Sequence, residues 1–217
     1  MDNDSQNRDR RGSKTRTIFL SAAEPSADQH CANLINTLRS GTYEYKFYGV
    51  GGPKMAAAGC ELIAQPASRA VMLHNAIINA GYFYNILRDV KRFYKKTYVD
   101  LTIVCDSPAF NFHVAKIAKK RRSKTLFYVA PQLWAWAPWR IHKLKRRADR
   151  LACILPFEPK WFSDRDLEAE FVGNPLMDDI DESVSQTPRD YGDFDPAVAR
   201  VALMPGSRDA EINTLWP

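Results

Sequence analysis

The residue types best placed for chemistry are carboxylates at the ends of apolar runs. Asp106 follows Leu101–Cys105, and Ser107-Pro108 turns the chain at once. A carboxylate there can accept the proton of an attacking hydroxyl. The other reading is a turn aspartate bonded to nearby backbone N–H groups. Glu24 and Asp28 flank Ser26 just after the apolar run Thr17–Ala23. Two negative charges at a helix start suit the helix dipole and repel phosphate, so a neutral polyol such as a sugar fits that loop better. Gly49, Gly51, Gly52 and Pro53 make a tight turn that lets backbone approach a ligand, although the spacing is not that of a dinucleotide fingerprint. Ser207 and Arg208 follow the apolar run Val198–Met204; a capped helix start plus a guanidinium fork suits a diphosphate, the other reading being a salt bridge from Arg208 to Asp209 or Glu211.

These residues need strands to carry them. Thr17–Ala23, Tyr45–Val50, Leu101–Cys105, Thr125–Val129, Arg150–Leu155 and Glu170–Val172 read as strands. Helices are predicted between them: one capped by Ser26, with Cys31, Leu34, Ile35 and Leu38 on one face and a stop at Gly41; then Lys54–Ala58, 76–96 and 110–121. Alternation at this spacing implies an α/β fold with a doubly wound, parallel, Rossmann-like sheet. Ligands of such sheets gather beyond the carboxyl ends of the strands, where all the loops above lie. Residues 1–16 read as a disordered tail, 17–180 as one domain and the acidic stretch 181–197 as a linker. Residues 198–217 then read as the start of a second, truncated domain. Trp134 and Trp136 alternate as on a strand or extended loop, and Gln132 sits in the preceding polar turn.

The composition is that of an ordinary globular chain: 217 residues, 45% hydrophobic and 26% charged. No apolar stretch reaches the roughly 20 residues that span a bilayer. The four cysteines form no CxxC pair, which argues for buried thiols and against a metal site. The net charge of +6 is unevenly spread. Five Lys/Arg against fourteen Asp/Glu after residue 150 leave 26 against 11 before it. The basic residues cluster at Arg88–Lys96, Lys116–Lys124 and Arg140–Arg150, which points to an anionic partner.

The ordered motifs SAAEPSAD (21–28), GVGGPKMAAAGCE (49–61), CDSPAFN (105–111), YVAPQLWAWAPWR (128–140), LPFE (155–158), FVGNPL (171–176) and LMPGSRDAEI (203–212) resemble those of the lipid-A-disaccharide synthases. The resemblance implies the first domain of a two-domain GT-B glycosyltransferase with no cofactor and no metal. It implies UDP-2,3-diacylglucosamine as donor, 2,3-diacylglucosamine 1-phosphate as acceptor, and a β-1,6 disaccharide and UDP as products. It places the enzyme in the cytoplasm, peripheral on the inner face of the inner membrane, with an anionic membrane surface as partner and no nucleic acid. Asp106 matches the family's essential aspartate and Arg208 its functional arginine, with Ser207 beside it on the nucleotide-sugar side. Glu24, Ser26, Asp28, Gly51, Gly52, Asn111, Gln132, Trp134 and Asn174 fall in its substrate-binding motifs. Ala27, Leu73, Ala109 and Asn174 depart from the family's usual Gly, Gly, Asp and His. This reading expects the 217-residue chain to be inactive alone. Its rivals are a basic nucleic-acid-binding protein and a sugar-nucleotide epimerase.

Overall fold

Residues 15–66 and 76–178, with Val201, are described by a computed structural model, residues 76–80 by their backbone alone. The expected tail (to residue 14), Leu73, the linker, Ser207, Arg208 and, Val201 apart, the final strand lie outside the described residues.

Seven strands form one parallel sheet: β1 (Arg16–Ala22), β2 (Tyr45–Val50), β3 (Glu61–Ala64), β4 (Leu101–Cys105), β5 (Lys124–Tyr128), β6 (Arg150–Cys153) and β7 (Ala169–Phe171). Their order is β3-β2-β1-β4-β5-β6-β7, so the winding reverses between β1 and β4. The helices are α1 (Pro25–Arg39), α2 (Pro53–Ala57), α3 (Ala76–Lys96), α4 (Pro108–Lys120), α5 (Leu133–Trp136), α6 (Ile141–Lys145) and α7 (Glu158–Ser163). The fold is therefore the doubly wound Rossmann-like α/β architecture that the strand–helix alternation predicts.

Strand periodicity divides the core into two layers. Phe19 of β1 and Val104 of β4 face one layer with Ile86, Val90 and Tyr94 of α3 and Phe112 of α4. Leu20 and Ile103 face the other, with Cys31 and Ile35 of α1 and Met55 of α2. Because β1 and β4 are covered on both faces, they read as continuous apolar runs. Tyr94 Oη, Thr102 Oγ1 and Ser123 Oγ form a buried chain at 2.7 Å per step beneath the first layer. All four cysteines are buried and unpaired. Burial pushes the Cys60 and Cys153 thiols up to about 12, which keeps them protonated and inert.

Several boundaries differ from expectation. β1 starts at Arg16, inside the expected tail, where the Arg16 guanidinium meets Asp100 at 3.1 Å. Ser26 does not cap α1: Pro25 takes the first helical position, the extended Glu24 is the cap residue, and Ser26 is exposed in the first turn. Strand β3 and helices α5, α6 and α7 are additions. Trp134 and Trp136 lie on the single-turn helix α5, not on an extended segment.

Asp149 joins the base of the sheet to α4. Its carboxylate accepts from Lys119 Nζ at 2.7 Å and from the Thr125 N–H at 2.8 Å. Burial alone would raise its pKa, but those two hydrogen bonds and the Lys119 charge hold it below its ordinary value of 3.8. A depressed carboxylate stabilises the fold above its unfolded pKa and loses that contribution as pH falls through the folded one. The melting-temperature gap between the native chain and Asp149→Asn should therefore be constant above about pH 5 and narrow below about pH 4. A gap that widens on acidification would refute this reading.

Candidate active site

Two loops meet at the point where the strand order reverses, the crevice in which open α/β sheets bind ligands. Glu24 leaves β1 and Asp106-Ser107 leaves β4. The Ser107 hydroxyl donates to Glu24 Oε1 at 2.6 Å, tying the loops together across the switch point. Asp106 (φ 51°) and Ser107 (φ 41°) both occupy the left-handed region, so the chain reverses within two residues before Pro108 starts α4. Non-glycine residues are held there only when their surroundings over-determine the conformation. The surroundings here are Asn111. Its fully buried amide donates to the carbonyls of Cys105 at 2.8 Å and Asp106 at 2.6 Å, and its Oδ1 accepts from Ser21 Oγ at 2.6 Å. Asn111, which the motif placed among substrate-binding residues, is thus a clamp on the turn, while Asp106 itself is exposed beyond the sheet edge. One strand over, Val129 also takes a positive φ of 59°, at the end of β5. A β-branched residue in that region is an outlier no sequence pattern announces.

Asp28 is buried at 2% exposure. Its carboxylate accepts the N–H groups of Gly52 (2.8 Å), Lys54 (3.1 Å) and Met55 (3.1 Å). A side chain of α1 therefore caps the start of α2, and the Gly52 N–H is already occupied. A Cβ on Gly49 would run into the Leu20 carbonyl, and one on Gly51 into the Met55 sulfur. Close packing against backbone requires Gly49, and a side chain at Gly51 would displace the Met55 thioether. Asp28 therefore ties the Gly51-Gly52 turn and the start of α2 to α1.

Trp134 is half-buried against Phe157, centroids 4.9 Å apart and edge to face. Its indole N–H donates to Glu158 Oε1 at 3.1 Å. Glu158 is fully buried and its other oxygen accepts the N–H groups of Ile154 and Leu155. It anchors the β6–α7 turn and the tryptophan loop at once, a role legible only as an acidic residue inside LPFE. Gln132 is exposed at the start of α5. Asn174 caps the 3₁₀ turn Pro175–Met177 by accepting from the Leu176 N–H at 3.1 Å. Burial, with Cys105, Cys31 and Asp178 nearby, pushes the Tyr128 phenol up to about 12, so it stays neutral at the edge of β5.

Beside Ser107 lies a pocket of about 420 Å³ between α3 and α4, lined by Ala23, Phe83, Leu87, Ala109 and Phe110 among others. The Phe83 and Phe110 rings in its lining pack tilted against each other, centroids 5.3 Å apart. Ala109, at the position where the family usually has an acid, keeps that wall apolar. Among the described residues no group of His, Cys, Asp and Glu has metal-ligand geometry, and no helix is long and apolar enough to cross a membrane.

The protein-family model for lipid-A-disaccharide synthetase matches residues 18–217. The chain belongs to this family. Among curated relatives, the lipid-A-disaccharide synthase of Geobacter metallireducens is 36% identical over 203 residues, covering 92% of this chain and 53% of that protein. That of Coxiella burnetii is 38% identical over 205 residues, covering 93% and 54%. The chain spans about half the length of the curated relatives it matches. Lipid-A-disaccharide synthases are glycosyltransferases of lipid A biosynthesis, and membership favours neither the nucleic-acid nor the epimerase reading.

Proposed function

We propose that this chain supplies the acceptor side of an inverting glycosyltransferase joining UDP-2,3-diacylglucosamine to 2,3-diacylglucosamine 1-phosphate. The observation that carries the reading is an exposed carboxylate, Asp106, fixed on a clamped turn at the switch point, next to an apolar pocket. A sugar acceptor needs a base for its hydroxyl, and an acylated one needs somewhere dry for hydrocarbon. The C6 hydroxyl gives its proton to the Asp106 carboxylate as its oxygen attacks the donor's anomeric carbon. The bond from that carbon to the diphosphate breaks and UDP leaves with the electron pair. Attack from the opposite face inverts the centre and gives the β-1,6 link. Ser207 and Arg208 are assigned to the departing diphosphate, where a guanidinium would offset developing charge. Glu24, tied to Ser107, orders the loop against the sugar. The reaction is assigned to the cytoplasmic face of the inner membrane, where both acylated substrates reside.

The test is product analysis with a protein spanning the full length of its curated relatives. Disaccharide and UDP should appear in equal amounts. UDP released with no acceptor glycosylated would reject the reading.

Contact with the bilayer is assigned to the basic end of α3. An interfacial helix would turn its apolar face toward lipid, but Ile86, Val90 and Tyr94 are buried in the core and Phe83 packs against Phe110. Of the aromatic residues on that helix, Tyr84 stays largely exposed, at 68%. Charge should therefore dominate. Replacing the basic residues of Arg88–Lys96 with Gln is expected to weaken binding to anionic vesicles by several-fold for each charge removed, at about 1 kcal/mol per charge near the surface. Unchanged binding in a co-sedimentation assay would reduce the cluster to a solvated helix face.

A further inference from the structure

The three basic clusters, far apart in the sequence, converge in the fold. A second groove, of about 490 Å³, runs between α3 and α4 and shares Leu87 and His113 with the apolar pocket beside Ser107. Its walls carry Lys91 from α3 and Lys116, Lys120 and Arg121 from α4 and its end. His113, Lys116 and Lys120 recur at helical spacing, so they lie along one face of α4. Lys143 of α6 and Arg147 just beyond it close the cluster from the side, with Lys143 Nζ 4.8 Å from the centre of the Phe112 ring.

This charge is uncompensated. Ion pairs tie up Arg92, Lys119 and Lys145, but among the described residues none joins a carboxylate to Lys91, Lys116, Lys120, Lys143 or Arg147. The groups repel one another instead. Lys143 is held below the usual lysine range by burial, then by Arg147, Arg140 and Lys116. The His113 imidazole is lowered by burial and by Lys143, Arg147 and Lys116. A cluster of cations around a groove, with no acid among them, is a site for an oxyanion.

Two features narrow the ligand. The groove shares Leu87 and His113 with the apolar pocket, so an occupant that fills both carries hydrocarbon as well as negative charge. It also starts close to the Asp106 turn: His113 lies five helical steps beyond Pro108, about 7.5 Å at 1.5 Å per residue, and Asp106 is two residues before Pro108. Lysine side chains on a helix lean back toward its N-terminus, which brings Lys116 nearer to the turn. We propose that the groove is the phosphate subsite of the acceptor, the apolar end holding acyl chain and the cationic end holding the phosphomonoester of the same molecule. This rests on the acceptor reading given above and adds the reason a phosphorylated acceptor is chosen over its free sugar.

The experiment uses the 217-residue chain in neutral detergent micelles and measures binding of 2,3-diacylglucosamine 1-phosphate and of the same lipid without phosphate. The native chain should prefer the phosphorylated form by about tenfold or more, as charge-assisted hydrogen bonds would give. The double variant Lys116→Gln/Lys143→Gln should lose that preference while binding the unphosphorylated lipid as before. Equal binding of both lipids by the native chain, or a preference that survives in the variant, overturns the subsite and leaves the acceptor reading standing. Binding of neither lipid removes both. A parallel arm with phosphatidylglycerol vesicles separates the sources of phosphate. If the variant loses vesicle binding but keeps its preference in micelles, the groove serves a bilayer headgroup and the proposal fails.

Discussion

Asp106→Asn is expected to leave the fold intact and to lower turnover by roughly 10²–10⁴, the usual contribution of a general base. The replacement is suited to the test because asparagine tolerates the left-handed region as well as aspartate does. The φ of 51° at this position is therefore kept. The Asp106 carbonyl is backbone, so the hydrogen bond it accepts from Asn111 at 2.6 Å is kept too. What changes is the capacity to take a proton. The melting temperature and acceptor KM should stay close to native while kcat falls, the pattern of an interaction made only in the transition state. An alanine variant would be less informative, since it disfavours the turn as well as removing the base. Near-native kcat in the asparagine variant would reduce Asp106 to a turn residue.

How much of this was legible beforehand depended on the length of the signal. Strands β1 and β4 were readable because a central parallel strand is buried on both faces and becomes an apolar run, and β2 because its aromatic and apolar residues stop at a Gly-Gly-Pro turn. Helix α3 was readable at both ends because twenty-one residues sustain a 3.6-residue period. Strand β3 has four residues, none fully buried, and its Glu61-Leu62-Ile63-Ala64 carries no usable alternation. Helix α5 is a single turn, too short to show a period, so its two tryptophans imitated a strand. The site divides the same way. Asp106 was visible from its place after a strand. The roles of Asp28 and Asn111 were not, because both act on backbone groups: Asp28 across 24 to 27 positions of chain, Asn111 on a turn whose conformation only the fold reveals. The meeting of Lys91, Lys116 and Lys143 likewise depends on how α3, α4 and α6 pack, which no local pattern encodes.

Asn111→Ala should be costly in two separable ways. The amide is fully buried and serves Ser21, Cys105 and Asp106. Removing it leaves a hydroxyl and two carbonyls near the sheet edge short of partners, and each such buried group costs about 1–3 kcal/mol. Some relief from entering water is expected because the turn is close to solvent. A net loss of about 2–4 kcal/mol in denaturant unfolding follows, large for a single substitution. The second cost is positional. Two consecutive residues held at positive φ relax once their clamp is gone, and the Asp106 carboxylate moves with them. A displacement of about 1 Å in a catalytic group can cost on the order of 10² in rate. The variant should therefore remain slow under conditions where circular dichroism shows it fully folded. Asn111→Asp supplies a control: it keeps an acceptor for Ser21 Oγ but loses both amide hydrogens and sets a charge against two carbonyl oxygens. It should be no better than alanine. A folded Asn111→Ala protein with native kcat would show that the strained turn holds its shape without the clamp.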